Sequence, residues 1–168
     1  MEKSQETAFW QQIEQHQGIL FKLSRVYRDR PEDREDLRQE MLYQLWRSFP
    51  SWSGQAKFST WMYRVALSTA LADFRKGGFQ LRKQSVGLEK AAVLHSENLE
   101  EDEQLSWLYR AISRLEPLEK AIISLYLEDY AYAEIAAMLE LTENHVGVKM
   151  HRIRQRLKKD LQHMRDGY

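Results

Sequence analysis

The sequence contains no cysteine, only three prolines and seven glycines, and no long apolar run. The absence of cysteine excludes a disulfide framework, a thiolate zinc site and a cysteine nucleophile. No run approaches the ~18 consecutive apolar residues that a membrane span needs, and the N-terminal MEKSQE lacks the apolar core of a signal peptide. We therefore expect a cytoplasmic protein. Its 43% apolar and 30% charged residues predict a folded, globular chain.

The usual signatures of catalysis and of metal binding are also absent. No P-loop, GxGxxG, GxSxG or HExxH pattern occurs. His145 and His151 face different sides of a helix, while His16, His95 and His163 have no ligand-like spacing. We therefore expect no metal, no cofactor and no catalytic residue. An enzyme is the least favoured class of function.

Apolar residues spaced three and four apart predict an all-α protein with two small helical domains joined by a flexible linker. The N-terminal domain is expected over residues 1–76, the linker over 77–102 and the C-terminal domain over 103–168. Three helices are predicted in the first domain, at about 6–28, 34–48 and 60–76. Four are predicted in the second, at about 103–114, 117–128, 132–139 and 143–164.

Local signals refine this prediction. The segment 29–33, which contains Pro31, reads as a turn, and Ser59 is a good N-cap for the third helix. Residues 88–94 could form one helical turn within the linker. Extended at about 3.3 Å per residue, the linker would reach roughly 80–90 Å, which exceeds one DNA turn of ~34 Å.

The C-terminal domain contains a helix-turn-helix pattern. The short helix at 132–139 is followed by a three-residue break, in which Thr142 is a natural N-cap for the last helix. Projection at 100° per residue places six apolar residues on the core side of that helix: Val146, Met150, Ile153, Leu157, Leu161 and Met164. An adjacent flank carries residues that could reach base edges or phosphates: Asn144, His145, Val148, Lys149, Arg152 and Arg156.

Two interpretations of this basic helix remain open. Residues 144–159 include six lysines and arginines and no acid, which favours contact with DNA. Cations near the end of a helix also complement its dipole, so a solvated helix end would show the same pattern. The preceding short helix, turn and cap favour the DNA interpretation.

Two patterns in the N-terminal domain also need an explanation. Residues 33–40 form a dense polar face, which is either an ordinary acidic helix start or an interaction surface. Residues 52–64 interleave aromatic rings with Lys57 and Arg64, and Arg75 follows on the same helix face. Rings beside cations suit the binding of unpaired bases, although aromatic residues in a small helical domain commonly form its core.

Both domains carry motifs of a known family. DLRQE (36–40), LW (45–46) and KFSTWMYRVA (57–66) resemble the second conserved region of extracytoplasmic-function sigma factors. Residues 109–157, from YRAI through LEP to HRIRQRL, resemble the fourth region of the same family. The two blocks cover most of the chain and occur in the family's order.

The resemblance implies a bacterial transcription-initiation subunit that binds core RNA polymerase, recognises a two-part promoter and is controlled by an anti-sigma factor. It implies that Asp36, Gln39 and Glu40 bind the polymerase. It assigns the melted minus-ten element to Trp52, Lys57, Phe58, Ser59, Thr60, Trp61, Arg64, Ser68, Arg75 and Lys76. It assigns the duplex minus-thirty-five element to Thr142, Asn144, His145, Val148, Lys149, Arg152 and Arg156.

Three positions depart from the family pattern. Ser68 stands where asparagine is frequent, and Glu140 stands where the turn commonly has glycine. Gly147 stands where lysine is common, which removes one cation from the recognition helix. An alternative function is a stand-alone helix-turn-helix regulator, which would bind duplex DNA without polymerase, usually as a dimer.

Overall fold

The computed structural model describes residues 2–75 and 102–167. Within these two ranges the regular structure consists of α-helices and one short 3-10 helix, which confirms the all-α prediction. These helices form two compact units, with three helices in the first and four in the second. Nearly all of the predicted linker, with its helical turn at 88–94, lies outside the described residues.

The first unit contains α1 (Lys3–Tyr27), α2 (Pro31–Ser48) and α3 (Phe58–Arg75). Each helix packs against the other two. Their apolar side chains recur every three or four residues, so each helix buries one face in a shared core. The largest fully buried side chains are Phe9, Ile13, Leu20, Leu23, Leu37, Met41, Leu42, Leu45, Met62 and Leu67.

All three helix starts in this unit differ from the sequence prediction. Helix α1 begins at Lys3, about one turn before the predicted start near residue 6. Helix α2 begins at Pro31, because proline at a first helical position lacks only an N–H that would have no partner within the helix. The turn predicted over 29–33 is therefore shorter. Helix α3 begins at Phe58, so Ser59 lies inside its first turn and is not the N-cap.

The second unit contains α4 (Glu103–Ser113), α5 (Pro117–Leu127), α6 (Tyr132–Leu139) and α7 (Glu143–Asp166). Helix α7 is the centre of this unit, since it packs against each of the other three. Its core side consists of Val146, Met150, Ile153 and Leu157, as predicted.

The prediction was wrong for the last two apolar positions of α7. Leu161 and Met164 are only half-buried. At 1.5 Å per residue, α7 is about 36 Å long, whereas α4 and α5 are each about 16 Å long. The shorter helices do not cover the whole length of α7, so its C-terminal turns remain partly exposed.

Candidate nucleic-acid interface

The turn between α6 and α7 has the geometry of a helix-turn-helix. Glu140 follows α6 in the left-handed conformation, with φ 57° and ψ 43°, and the N–H of Leu141 donates to the carbonyl of Ala136 at 2.9 Å. Thr142 then caps α7, because its Oγ1 accepts the N–H of His145 at 3.1 Å. The N-cap prediction is confirmed, and the turn requires the positive φ for which glycine is the usual residue.

The side of α7 next to its core face is largely open to solvent. Asn144, His145, Arg152 and Arg156 are exposed, and the apolar side chain of Val148 is 47% exposed among them. Thr142 is exposed as well. An exposed valine between hydrogen-bonding side chains suits the edge of a base pair, where a thymine methyl lies beside donors and acceptors.

The cations of α7 are not equivalent, because α5 and its N-cap residue supply partners for three of them. Lys149 is half-buried, and its Nζ lies 4.0 Å from Oε2 of Glu116. Nη1 of Arg156 lies 3.9 Å from Oε1 of Glu119. Arg154 donates to the Tyr126 hydroxyl at 2.7 Å, and its guanidinium lies 5.1 Å from the centre of the same ring.

By contrast, Arg152 forms no ion pair within the residues that the structure describes. The sequence of the last helix does not predict these partners, because the run 144–159 contains no acid and the partners lie on α5 or at its N-cap. One signal for Glu119 was present in the sequence. A glutamate two positions after a proline helix start occupies the site of a capping box, and Oε1 of Glu119 accepts the N–H of Glu116 at 3.1 Å.

In the first unit, four aromatic rings gather where the loop after α2 meets α3. The ring of Phe49 lies 5.9 Å from Trp52, 6.4 Å from Phe58 and 6.2 Å from Trp61. Trp52 also donates its indole N–H to the carbonyl of Ala56 at 3.1 Å, which closes the loop on itself. Gly54 in this loop has φ 77°, a conformation that glycine adopts without steric cost.

Most of the residues predicted to contact melted DNA lie along one open strip of this unit. Lys57, Arg64, Ser68 and Arg75 are exposed, and the half-buried members are Trp52, Ser59, Thr60 and Trp61. Phe58 is different, because only 5% of its surface is exposed. Its ring packs inside the aromatic cluster and offers no face on which a base could stack. Lys76 lies outside the described residues.

The polar segment at the start of α2 divides into two sides. Arg34 donates to the carbonyl of Arg28 at 2.9 Å, and Arg38 donates to Ser24 Oγ at 3.1 Å, so both cations turn toward α1. On the other side lie three half-buried residues, at positions that share a face at 100° per residue: Asp36, Gln39 and Glu40.

On the acidic side of α2, burial and neighbouring negative charges disfavour the ionised form of Asp36. Burial raises the pKa of the Asp36 carboxyl, and the charges of Asp33 and Glu35 raise it further. Oε1 of Glu40 accepts a hydrogen bond from Nε2 of Gln44 at 3.0 Å. A partner that supplies hydrogen-bond donors or positive charge would stabilise the ionised carboxylates on this surface.

The ends of α1 and α3 are joined by an ion pair that the sequence analysis did not predict. The guanidinium of Arg28 pairs with the carboxylate of Asp73 and lies 5.3 Å from the centre of the Phe74 ring. This contact fixes the C-terminal end of α3, from which Arg75 extends. Among the residues described, no helix is long and apolar enough to cross a membrane, and no three or more His, Cys, Asp or Glu side chains come together as metal ligands would.

Comparison with known families gives one match on each unit. The model described as "Sigma-70 region 2" matches residues 12–79, and the model described as "Sigma-70, region 4" matches residues 105–157. The first match falls on α1–α3 and the second on α4–α7. The match across α1–α3 disfavours a stand-alone helix-turn-helix regulator.

Individual relatives agree with the family models. ECF RNA polymerase sigma factor SigX of Bacillus subtilis is 26% identical over 166 residues, covering 90% of this chain and 81% of that protein. ECF RNA polymerase sigma factor SigG of Mycobacterium tuberculosis is 33% identical over 76 residues, which span 45% of this chain and only 20% of SigG.

A solved structure shares the fold. The sigma factor RpoE of Bartonella quintana, determined in complex with the anti-sigma factor NepR, superposes with a TM-score of 0.69 at 19% identity. The superposition covers 92% of this chain and 97% of that one. The helical architecture is therefore one that a sigma factor adopts.

Proposed function

Because the chain belongs to the extracytoplasmic-function group of the sigma-70 family, we propose that it binds core RNA polymerase and directs it to a two-part promoter. One observation supports this most strongly: the region 2 and region 4 matches fall, in that order, on the two units. Each unit has a surface suited to one part of the task.

The second unit would bind the duplex minus-thirty-five element through α7. Asn144, His145 and Val148 are exposed near the start of the helix, where side chains of a recognition helix reach base edges. Lys149, Arg152 and Arg156 would contact phosphates, and Thr142 would hold the helix start in register. The left-handed turn at Glu140 supports this docking geometry because it sets the angle between α6 and α7.

The first unit would hold the melted minus-ten element along the open strip beside the aromatic cluster. Trp52 and Trp61 are half-buried, so each retains part of a ring surface for stacking with an unpaired base. Cations and hydroxyls along the strip would bind the backbone: Lys57, Ser59, Thr60, Arg64, Ser68 and Arg75. We propose the same role for Lys76, the next residue in the sequence. Phe58 would support the two tryptophans from inside the cluster, at 5.4 Å and 5.3 Å from their rings.

Core polymerase would dock on the face of α2 that carries Asp36, Gln39 and Glu40. The raised pKa of Asp36 supports this assignment, because a carboxylate that is partly buried and lies beside other acids gains most from a basic partner. The polymerase would carry out all bond making, so the chain itself needs no catalytic residue. Its site of action would be the cytoplasm, where the polymerase works.

An anti-sigma factor is the partner that we propose for regulation. The support is the complex of RpoE with NepR, a sigma factor whose fold this chain shares. Such a partner would act by covering surfaces that polymerase or promoter DNA must reach.

Reconstitution tests the proposed function. The purified chain should co-elute with core polymerase from a related bacterium and should support initiation at discrete genomic start sites, whereas core polymerase alone should not. The variant Glu40→Ala should weaken co-elution, and Arg152→Ala should retain it while losing promoter-dependent transcription. Absence of association, or association without initiation at any start site, contradicts the proposal.

A further inference from the structure

The start of α5 places two carboxylates beside the basic flank of α7: Glu116 is the N-cap of α5, and Glu119 lies in its first turn. Oε2 of Glu116 lies 4.0 Å from Nζ of Lys149, and Oε1 of Glu119 lies 3.9 Å from Nη1 of Arg156. Lys149 and Arg156 are about two helical turns apart on one side of α7. Two cations assigned to DNA phosphates therefore already have anions beside them within the unit.

Glu119 is the fixed member of its pair. Its side chain is 8% exposed, whereas that of Arg156 is 48% exposed. The same oxygen that faces Arg156 accepts the N–H of Glu116, so the carboxylate cannot turn away without losing this capping hydrogen bond. When the pair separates, the arginine moves and the carboxylate stays.

Both contacts are weak enough for DNA to replace. Distances of 3.9 Å and 4.0 Å exceed hydrogen-bond length, so the attraction is Coulombic. A DNA phosphate would form charge-assisted hydrogen bonds at about 2.7–2.9 Å with the same side chains. The carboxylates therefore lie where they weaken phosphate binding without preventing it.

We propose that Glu119, with a smaller contribution from Glu116, competes with DNA phosphates for Arg156 and Lys149 and so lowers the sequence-independent affinity of this unit for duplex DNA. This inference rests on the proposed function, because it concerns the same face of α7. Phosphate contacts supply most non-specific binding. Weakening two of them leaves a larger share of the binding free energy to Arg152 and to the residues that reach base edges.

The variant Glu119→Gln tests this competition, because glutamine preserves the capping hydrogen bond and removes the charge. Binding of the full chain to a labelled random-sequence duplex of about 30 base pairs is measured between about 50 and 200 mM salt, where phosphate contacts dominate. We expect about two- to fivefold tighter binding, the range that a partly exposed ion pair can supply. The salt slope should steepen by up to ~0.9 as Arg156 gains a full phosphate contact.

Glu134→Gln is the matched control. Glu134 has the same capping role on α6, where its Oε1 accepts the N–H of Ala131 at 3.0 Å, and its replacement removes the same charge. A gain common to both variants would come from net charge alone. The excess for Glu119→Gln should disappear when Arg156 is replaced by alanine. The exposed Glu116→Gln provides a second variant, whose smaller gain should disappear with Lys149→Ala.

Four results would overturn the competition: no gain for Glu119→Gln, equal gains for Glu119→Gln and Glu134→Gln, a gain that persists in the Arg156→Ala background, or weaker binding after loss of the carboxylate. Arg152→Ala separates this failure from failure of the proposed function. If Arg152→Ala weakens binding of the same probe while Glu119→Gln is neutral, only the competition is wrong. If Arg152→Ala has no effect, the DNA-binding face itself is wrongly assigned.

Discussion

Single residues decide the shape of the turn that presents α7. Glu140 adopts φ 57°, a conformation that costs an L-residue other than glycine roughly 1–2 kcal/mol. Two residues later, the hydroxyl of Thr142 accepts the N–H of His145, and an N-cap of this kind contributes about 1 kcal/mol. The cap therefore offsets much of the cost of the turn, which lets the chain use glutamate where glycine would fit better.

Replacing Glu140 with glycine should consequently stabilise the second unit. We expect the free energy of unfolding to rise by about 1 kcal/mol, because glycine adopts a positive φ without the steric penalty. Thermal or urea unfolding would measure the change. Glu143→Gly is the control, since Glu143 lies in the first turn of α7 and glycine there should cost up to ~1 kcal/mol. A destabilised Glu140→Gly variant would show that the glutamate side chain contributes more than the backbone strain removes.

Helix boundaries could be predicted from the sequence where local signals mark them. Helix α6 lies at Tyr132–Leu139, as predicted, because its short apolar pattern is followed by a three-residue break and by Thr142, the N-cap of the next helix. The start of α2 was missed because Pro31 was interpreted as a turn residue, although proline also suits a first helical position.

Contacts between helices could not be predicted from the sequence. The periodicity of α7 identifies its basic flank, but only tertiary packing determines that the first turn of α5 lies beside that flank. Phe58 is a second example. An aromatic residue in a basic loop suits either a core or a base-stacking surface, and its neighbours in space decide between them. The candidate site was therefore predicted as a set of residues, without their partners.

In helix α2, the ionised Asp36 carboxylate lowers the stability of the fold, a cost consistent with a role in binding a partner. The pKa of Asp36 is raised in the folded chain, first by burial and then by Asp33 and Glu35. A carboxyl with a raised folded-state pKa favours folding while it is protonated. This contribution is lost as the pH rises through the folded-state pKa, so at neutral pH the ionised Asp36 disfavours the folded state.

The variant Asp36→Asn should therefore be slightly more stable than the parent at pH 7, by less than about 1 kcal/mol for a side chain that water still reaches. The gain should vanish as the pH falls below the ordinary aspartate value of about 3.9, where both side chains are neutral. Urea unfolding at several pH values measures this. The same variant should bind core polymerase more weakly. Lower stability at pH 7 would contradict the electrostatic explanation, and unchanged polymerase binding would remove Asp36 from the docking face.

At the scale of the whole molecule, two different kinds of surface occur on two separately folded units. The first unit offers half-buried tryptophans beside exposed cations, and the second offers a capped helix with an exposed polar and basic flank. Stacking favours unpaired bases, whereas a helix of this kind fits the major groove of a duplex. The division of surfaces predicts that the two steps of promoter use can be impaired separately.

Trp61→Ala and Arg152→Ala should separate these steps on any promoter that the reconstituted polymerase uses. Loss of one stacked base, worth ~1–3 kcal/mol, should lower open-complex formation by Trp61→Ala about five- to 150-fold while duplex binding changes little. Arg152→Ala, by contrast, should weaken the duplex-binding step that precedes melting. Permanganate reactivity of melted thymines reports open-complex formation, and a binding assay at low temperature reports duplex binding. Trp46→Ala is the control, because Trp46 is also half-buried in this unit and packs at 5.1 Å from Phe9 without belonging to the strip. If Trp61→Ala and Trp46→Ala reduce melting equally, Trp61 supports the fold and does not touch the separated strand, since loss of packing alone would then account for both.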